Sequence, residues 1–291
     1  HKKRLPRGLK PLADEAHKSG LKFLLWFEPE TVMAGTVIAR EHPEWVIWAD
    51  KQTGLFNLGI PEAREYLTDL ISDNIRKFEV DVYRNDFNIN PGPYWKLKDE
   101  PGRKGMAEIR HVEGLYGFWD ELRNRHPRLL IDNCASGGTR LDYETCKRAV
   151  PLWRADPPAK PQASWAAANQ NYNYGLSFYL PVHGGGGFYS GDKYYYRSLA
   201  ASSIVLFQLP GTPLNNTRVP VQKLRKIFAE IKSFRHLFLG DYYPLTEYGS
   251  TEKVWMAYQF DCPETGEGCA LFFSRKEAPY REAEFELRAL E

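Results

Sequence analysis

The stretch Val80-Asp81-Val82-Tyr83-Arg84-Asn85-Asp86-Phe87-Asn88 decides the fold. A short apolar run leads into a cation, an amide and a carboxylate, so a strand delivers three polar groups to its C-terminal end. In a parallel α/β fold that end is the one that carries chemistry. The charge of Arg84, two residues from Asp86, favours the ionised carboxylate, which suits a nucleophile or a metal ligand. An isolated R-x-D also fits a solvated turn with an incidental ion pair, so the rest of the chain must decide between the two.

The same grammar recurs on both sides. Upstream, Leu9, Leu12, Ala13 and Ala16 stand at helical spacing before a stop at Gly20. A continuous apolar strand over 21–27 follows, of the kind buried on both faces, and ends in Trp26-Phe27-Glu28-Pro29-Glu30. A loop containing Trp45 and Trp48 leads to a helix over 61–78, with Pro61 in its first turn and Ala63, Tyr66, Leu67, Leu70, Ile71 and Ile75 on one face.

Downstream the alternation continues with a helix over 112–125 and a strand over 129–134 that ends in Ala135-Ser136-Gly137-Gly138. A short helix over 142–149 precedes a strand over 151–154 that ends at Asp156. A helix over 163–170 leads to a strand over 176–182 that ends in His183 and four glycines. A helix over 194–202, a strand over 204–209 and an amphipathic helix over 219–237 complete the series. Six βα units, each with polar or glycine-rich residues just after its strand, predict an α/β fold of the (β/α)8 TIM barrel type rather than a doubly wound sheet.

Residues 1–240 then carry barrel strands 3 to 8, and the first two are expected upstream of His1. The strand ends at Trp26, Asp86, Cys134, Asp156 and His183 should meet in one cleft, with 21–25 and 129–131 buried. From Gly240 the pattern changes to short runs over 254–260, 270–274 and 283–287. Residues 241–291 therefore read as part of a C-terminal antiparallel β-sandwich domain.

Composition narrows the function. A chain that is 43% hydrophobic and 26% charged builds a large core. Its 39 basic residues nearly balance 37 acidic ones, without a basic block, so no nucleic-acid partner is expected. No apolar run reaches the roughly 18 to 20 residues of a membrane span, so no membrane partner is expected either. The start, His-Lys-Lys-Arg-Leu-Pro-Arg, lacks the apolar segment of a signal peptide, and the chain reads as an internal piece of a longer protein. Localisation stays open, with the cytoplasm favoured. Cys262 and Cys269 flank a hairpin-like tip, where pairing in an oxidising compartment is one alternative. No His/Cys cluster has zinc-like spacing, and neither a metal nor a cofactor is expected. Aromatics at 14% suit core packing, and equally the flat faces of a carbohydrate cleft.

Two carboxylates at the ends of different strands, Asp86 and Asp156, are what retaining glycoside hydrolysis needs, one as nucleophile and one as acid/base, about 5 to 5.5 Å apart. Metal-assisted chemistry would want several His or carboxylate ligands, and His183 is the one histidine at an expected strand end.

Four ordered segments carry a resemblance: Leu25-Trp26-Phe27-Glu28-Pro29-Glu30, Tyr83-Arg84-Asn85-Asp86-Phe87-Asn88, Asn133-Cys134-Ala135-Ser136-Gly137-Gly138-Thr139-Arg140-Leu141-Asp142 and Trp153-Arg154-Ala155-Asp156. In order and spacing they resemble the signatures of the α-galactosidases of glycoside hydrolase family 36, over nearly the whole chain. The resemblance implies retaining, exo-acting hydrolysis of terminal α-linked galactose from an oligosaccharide or glycoconjugate. It implies Asp86 as nucleophile, Asp156 as acid/base and Trp26 as a wall of the sugar pocket. Cys134, Ser136 and Gly137 would lie against the sugar 2-position, and Arg84 stands where the family has a sugar-binding lysine.

Arg84 replaces a point charge by a planar fork, so its bonds to sugar hydroxyls differ. Ala135 and Ser136 replace Ser and Gly, which leaves α-galactoside and α-N-acetylgalactosaminide both open. The strand bearing the family's paired 4- and 6-hydroxyl-binding aspartates is not in this chain. Glu28 and Glu30 are expected to orient Trp26 and Arg84, and Arg140 to pair with Asp142. Asn88 and Tyr94 are expected to line an outer subsite. Arg154 and His183 are placed near substrate, Arg154 as a neutraliser of carboxylates and His183 either as a contact or as a cap on the glycine loop. A raffinose-synthase-type transglycosylase and a catalytically silent carbohydrate-binding barrel are the other readings; retention of both aspartates speaks against the latter. Family members often form oligomers, so a homo-oligomer is an open partner.

Overall fold

The computed structural model describes residues 3–157, 163–188, 192–207 and 221–289. The chain divides into two compact units, His1–Val150 and Pro151–Glu291.

The first unit runs α1 (Lys10–Lys18), β1 (Leu24–Phe27), β2 (Thr31–Met33), α2 (Val37–Glu41), a 3-10 turn at Pro43–Trp45, β3 (Val46–Trp48), β4 (Thr53–Phe56), α3 (Pro61–Phe78), β5 (Val82–Asn85), α4 (Gly92–Lys98), α5 (Met106–Arg125), β6 (Leu130–Asn133) and α6 (Tyr143–Cys146). Strands β1, β5 and β6 pair in parallel with β5 in the middle. Phe27 pairs with Asn85 and Asn85 with Asn133. The three strands therefore end level, and the residues that follow them leave at one edge.

Helices α3 and α5 cover this sheet. Leu67, Ile71 and Ile75 pack with Leu115, Phe118, Trp119 and Leu122 against Tyr83 and Ile131, which is the 3.6-residue stripe expected of core-facing helices. At the end of α3, Glu79 takes the left-handed conformation (φ 52°) and Val80 N donates to Ile75 O at 3.0 Å. This Schellman-type turn feeds the chain directly into β5.

The strand expected over 21–27 begins only at Leu24; Leu21 is exposed and Leu24 and Leu25 are half-buried. Leu130 is likewise exposed, whereas Ile131 is buried. The expectation required neighbours on both sides, and among the described residues β1 pairs only with β5. The segment read as a Trp-containing loop is a small antiparallel sheet, in the order β2-β4-β3. Its tip is an Asx turn in which Asp50 Oδ1 accepts from Gln52 N and Thr53 N, both at 2.7 Å.

The second unit runs α7 (Ala163–Leu176), β7 (Gly184–Phe188), α8 (Lys193–Leu199), β8 (Ser203–Phe207), α9 (Val221–Phe234), a 3-10 turn at Arg235–Leu239, β9 (Asp241–Pro244), β10 (Trp255–Cys262) and β11 (Glu267–Ser274). β7 and β8 are parallel, and β9 to β11 form an antiparallel sheet with β10 central. Tyr196, Leu199, Ile227 and Ile231 pack with Met256, Tyr258, Phe260 and Phe273 in its core.

Here the strand expected over 176–182 is corrected. The helix α7 extends to Leu176, and the four glycines taken for a loop are the strand itself. A Cβ on Gly184 would lie 1.6 Å from Leu152 O, and one on Gly185 2.2 Å from Leu199 O. Neighbouring backbones approach so closely that only glycine fits a strand there. Residues 151–154 form no strand, although Gly184 N donates to Pro151 O and Arg154 N to Gly184 O. Residues 283–287 are likewise irregular. Residues 208–209 and 219–220 of the expected elements lie outside the described residues. Cys262 and Cys269 are free thiols; Cys262 faces Glu267 and Cys269 faces Phe260 across the hairpin.

Two glycines of α5 make a test of this packing. A Cβ on Gly114 would lie 2.1 Å from Leu58 O, whereas one on Gly117 meets only the Arg64 side chain, at 3.6 Å. In the full-length chain, Gly114→Ala should lower the urea unfolding free energy by about 1–3 kcal/mol. Gly117→Ala should raise it by about 0.5–1 kcal/mol through helix propensity. Equal shifts of the two midpoints would contradict the α5 placement.

Candidate active site

The level strand ends bring Trp26, Asp86, Asn88, Cys134 and Ser136 together. Asp86, the first residue after β5, is fastened by Asp86 N donating to Phe27 O at 2.9 Å. Its Oδ2 accepts from Trp26 Nε1 at 3.0 Å and its Oδ1 from Phe87 N at 2.7 Å. Burial alone would raise its pKa, but hydrogen bonds from Cys134, Asn88, Trp26 and Phe87 together hold it below the ordinary carboxylate value. The Cys134 thiol is pushed up to about 12, chiefly by burial and further by Asp86, so it stays protonated and donates.

The loop around this carboxylate is held by its own side chains. Glu28 accepts from Asn88 N at 3.3 Å and Asn88 Nδ2 at 3.1 Å, and Ser136 Oγ donates to Asn88 Oδ1 at 3.3 Å. Ser136 and Gly137 both have positive φ, 45° and 82°, and this turn brings the Gly137 N–H to the Cys134 sulfur. Beside Asp86, Trp26 is 48% exposed while its Nε1 holds the ionised carboxylate. Among the described residues no group of three or more His, Cys, Asp or Glu is placed to hold a metal.

Arg84, read from the sequence as a charge near Asp86, has a buried carboxylate partner of its own. It pairs with Asp132 at 2.5 Å, both side chains being fully buried, because Arg84 and Asp132 are register partners on β5 and β6. Hydrogen bonds from its neighbours are what lower the Asp86 pKa. Glu30 also has a different role. It is fully buried, accepts from Arg140 Nη1 and Nη2 at 2.7 Å each, and contacts His111 Nε2 at 2.8 Å and Asn85 Nδ2 at 3.4 Å. Asn85 Oδ1 accepts from Tyr83 OH at 2.8 Å and Trp119 Nε1 at 3.1 Å.

Asp142, expected as the partner of Arg140, instead caps α6 by accepting from Thr145 N at 3.0 Å. Tyr94 is buried and donates to Thr53 O, so it supports the small sheet. His111 and Trp119 escaped the sequence reading because both lie on the apolar face of α5; an ionisable residue on that face was the available signal.

In the second unit Asp156 is exposed at the end of the irregular segment. Arg154 and His183 are buried and joined, Arg154 Nη1 donating to His183 Nδ1 at 2.5 Å. His183 precedes β7 rather than ending a strand, because the glycines are the strand. Burial, and secondarily Arg154, hold its pKa well below the ordinary value, so it is neutral.

The fold is shared with α-galactosidases of glycoside hydrolase family 36. The crystal structure of AgaA from Geobacillus stearothermophilus superposes with a TM-score of 0.81 at 22% identity, covering 100% of this chain and 42% of that one. The α-galactosidase from Lactobacillus brevis gives 0.80 at 22% identity, over 98% and 40%. In sequence, residues 1–182 match the melibiase family, and the chain belongs to it. Alpha-galactosidase 1 of Pediococcus pentosaceus is 23% identical over 94% of this chain and 38% of its own length. This chain thus spans well under half of the relatives it matches.

The buried Glu30 cluster has a pH signature. Burial would raise the Glu30 pKa, but Arg140 above all, with His111, lowers it from 4.5 to about 2. A folded-state pKa below the unfolded one contributes stability that is present above about pH 4.5 and lost as pH falls towards about 2. Glu30→Gln should therefore cost on the order of 3 kcal/mol at neutral pH. In urea titrations of the full-length chain, its gap from the unmodified protein should close below about pH 4. A gap independent of pH would show that the carboxylate charge is not what matters.

Proposed function

We propose that this chain is the catalytic part of a retaining, exo-acting α-galactosidase, with Asp86 as nucleophile and Asp156 as acid/base. The observation that carries the reading is the Asp86 carboxylate, kept ionised by four donors at a strand's C-terminal end and flanked by the exposed Trp26 indole. Asp86 attacks the anomeric carbon while Asp156 protonates the leaving oxygen; Asp156 then takes a proton from the water that releases the sugar, giving net retention. The Trp26 face stacks on the sugar, and the un-ionised Cys134 orients Asp86 without competing as a nucleophile.

In this reading residues 1–240 supply six βα units of a (β/α)8 barrel, and residues 241–291 begin the β-domain. Substrate class is supported by the relatives, named α-galactosidases, and by AgaA crystal structures with stachyose and with raffinose. One aspartate is replaced in each of those two structures. The two replaced aspartates stand as far apart in that sequence as Asp86 and Asp156 do in this one.

The test uses the full-length enzyme on paired aryl α-galactoside and α-N-acetylgalactosaminide substrates, the galactoside being turned over faster. Asp86→Ala should abolish turnover of every substrate, and azide should restore it only as the inverted glycosyl azide. Asp156→Ala should lose about 10²–10⁴-fold on poor leaving groups, be largely spared on activated ones, and with azide give a product of retained configuration. An inverted first-formed sugar from the unmodified enzyme would exclude these roles.

A further inference from the structure

Arg154 is a buried cation that meets only neutral acceptors. The residue is 3% exposed; Nη1 donates to Asn173 Oδ1 at 2.7 Å and His183 Nδ1 at 2.5 Å, and Nη2 to Asn169 O at 3.2 Å and Oδ1 at 3.1 Å. Among the described residues no carboxylate pairs with it, and Nε has no hydrogen-bond partner. Burial pulls its pKa from 12.5 to about 9. Desolvating a guanidinium without a counter-ion is costly, so the arrangement needs a compensating use.

That use lies in the segment it belongs to. Residues 151–157 form neither helix nor strand. Backbone bonds that hold the segment include Gly184 N to Pro151 O at 2.9 Å and Arg154 N to Gly184 O at 3.0 Å. Among the described residues no backbone bond follows over 155–157, so Arg154 is the last fixed point before the exposed Asp156. The acceptors are themselves anchored: Asn173 Nδ2 donates to Ala200 O at 2.9 Å and Tyr258 OH at 2.8 Å, and Asn169 Nδ2 to Trp165 O at 2.9 Å.

We propose that Arg154 is a positioning residue for Asp156, its guanidinium fork fastening the segment that carries the acid/base to α7 and to His183. The proposal rests on the reading of Asp156 as acid/base. A planar fork suits the task because its two terminal nitrogens reach Asn173 and Asn169 at once, which a single ammonium cannot reproduce. A small displacement of the acid is enough to weaken proton delivery to the leaving oxygen.

The experiment compares kcat/KM of full-length variants over aryl α-galactosides of graded leaving-group ability. Arg154→Gln should lose on the order of 10²-fold on the poorest leaving group and less than about tenfold on the best, and should form retained glycosyl azide when azide is added. Arg154→Lys should fall between it and the unmodified enzyme. Asn169→Ala removes one of the bonds to Arg154, together with the Asn169 Nδ2 bond to Trp165 O, and keeps the cation, so it should show the same ordering on a smaller scale, and it decides the matter if the Arg154 variants are insoluble. Losses equal across all leaving groups, or no loss, would overturn the positioning role. Asp156→Ala in the same series separates the two ideas. A flat response there removes the reading of Asp156, whereas a steep response beside flat Arg154 and Asn169 variants removes only the role of Arg154.

Discussion

Strand β5 is buried along its whole length and yet ends in Arg84 and Asn85, with Asp86 directly after it. Buried polar groups without partners are expensive, and much of the first unit is arranged around satisfying these three. Arg84 takes Asp132 from β6; Asn85 takes Tyr83 from its own strand, Trp119 from α5 and Glu30 from the loop after β1. Asp86 takes Trp26 from β1, Asn88 from the loop that follows it and Cys134 from beyond β6. Partners on both neighbouring strands work only in one register, so the pairing that levels the strand ends and the pairing that builds the site are the same.

The Glu30 cluster extends this constraint to the loop after Asp86. An ion pair as deeply buried as Glu30 with Arg140 is weak evidence of net stability, because desolvation offsets much of its attraction. Its structural effect is clearer. The Arg140 guanidinium lies 4.5 Å from the Phe87 ring centroid, and the His111 ring stacks on Phe87 with centroids 6.4 Å apart. Phe87, whose N–H holds Asp86 Oδ1, is thereby held by a cation and an imidazole that Glu30 fixes. The orientation of the carboxylate is set two contacts away from it.

Much of this was legible in the sequence. The apolar stripes of α3 and α5 and the polar residues after short apolar runs located the helices and the Trp26, Asp86, Asn88, Cys134 and Ser136 cluster. What was not legible depended on pairing. Arg84 stands close to Asp86 in sequence, but only the register of β6 shows that it also pairs with Asp132. The four glycines read as a loop by composition, whereas the carbonyls of Leu152 and Leu199, distant in sequence, make them a strand. The same inversion moved His183 from the end of a strand to the residue before one, where it accepts from Arg154.

The neutral character of the hydrogen-bond donors around Asp86 has a chemical consequence for the proposed nucleophile. A carboxylate in direct contact with an arginine is stabilised by about 1–3 pKa units, and that attraction would be lost as the charge passes to the anomeric carbon in the transition state. Neutral donors such as an indole N–H, a thiol, an amide and a backbone N–H still favour the ionised form. They are individually weaker than charge-assisted bonds to a cation, so less is forfeited when the oxygen forms its covalent bond. Because only interactions that differ between ground and transition state change the barrier, neutral donors leave Asp86 oriented and ionised with less overstabilisation than a direct cation contact would bring.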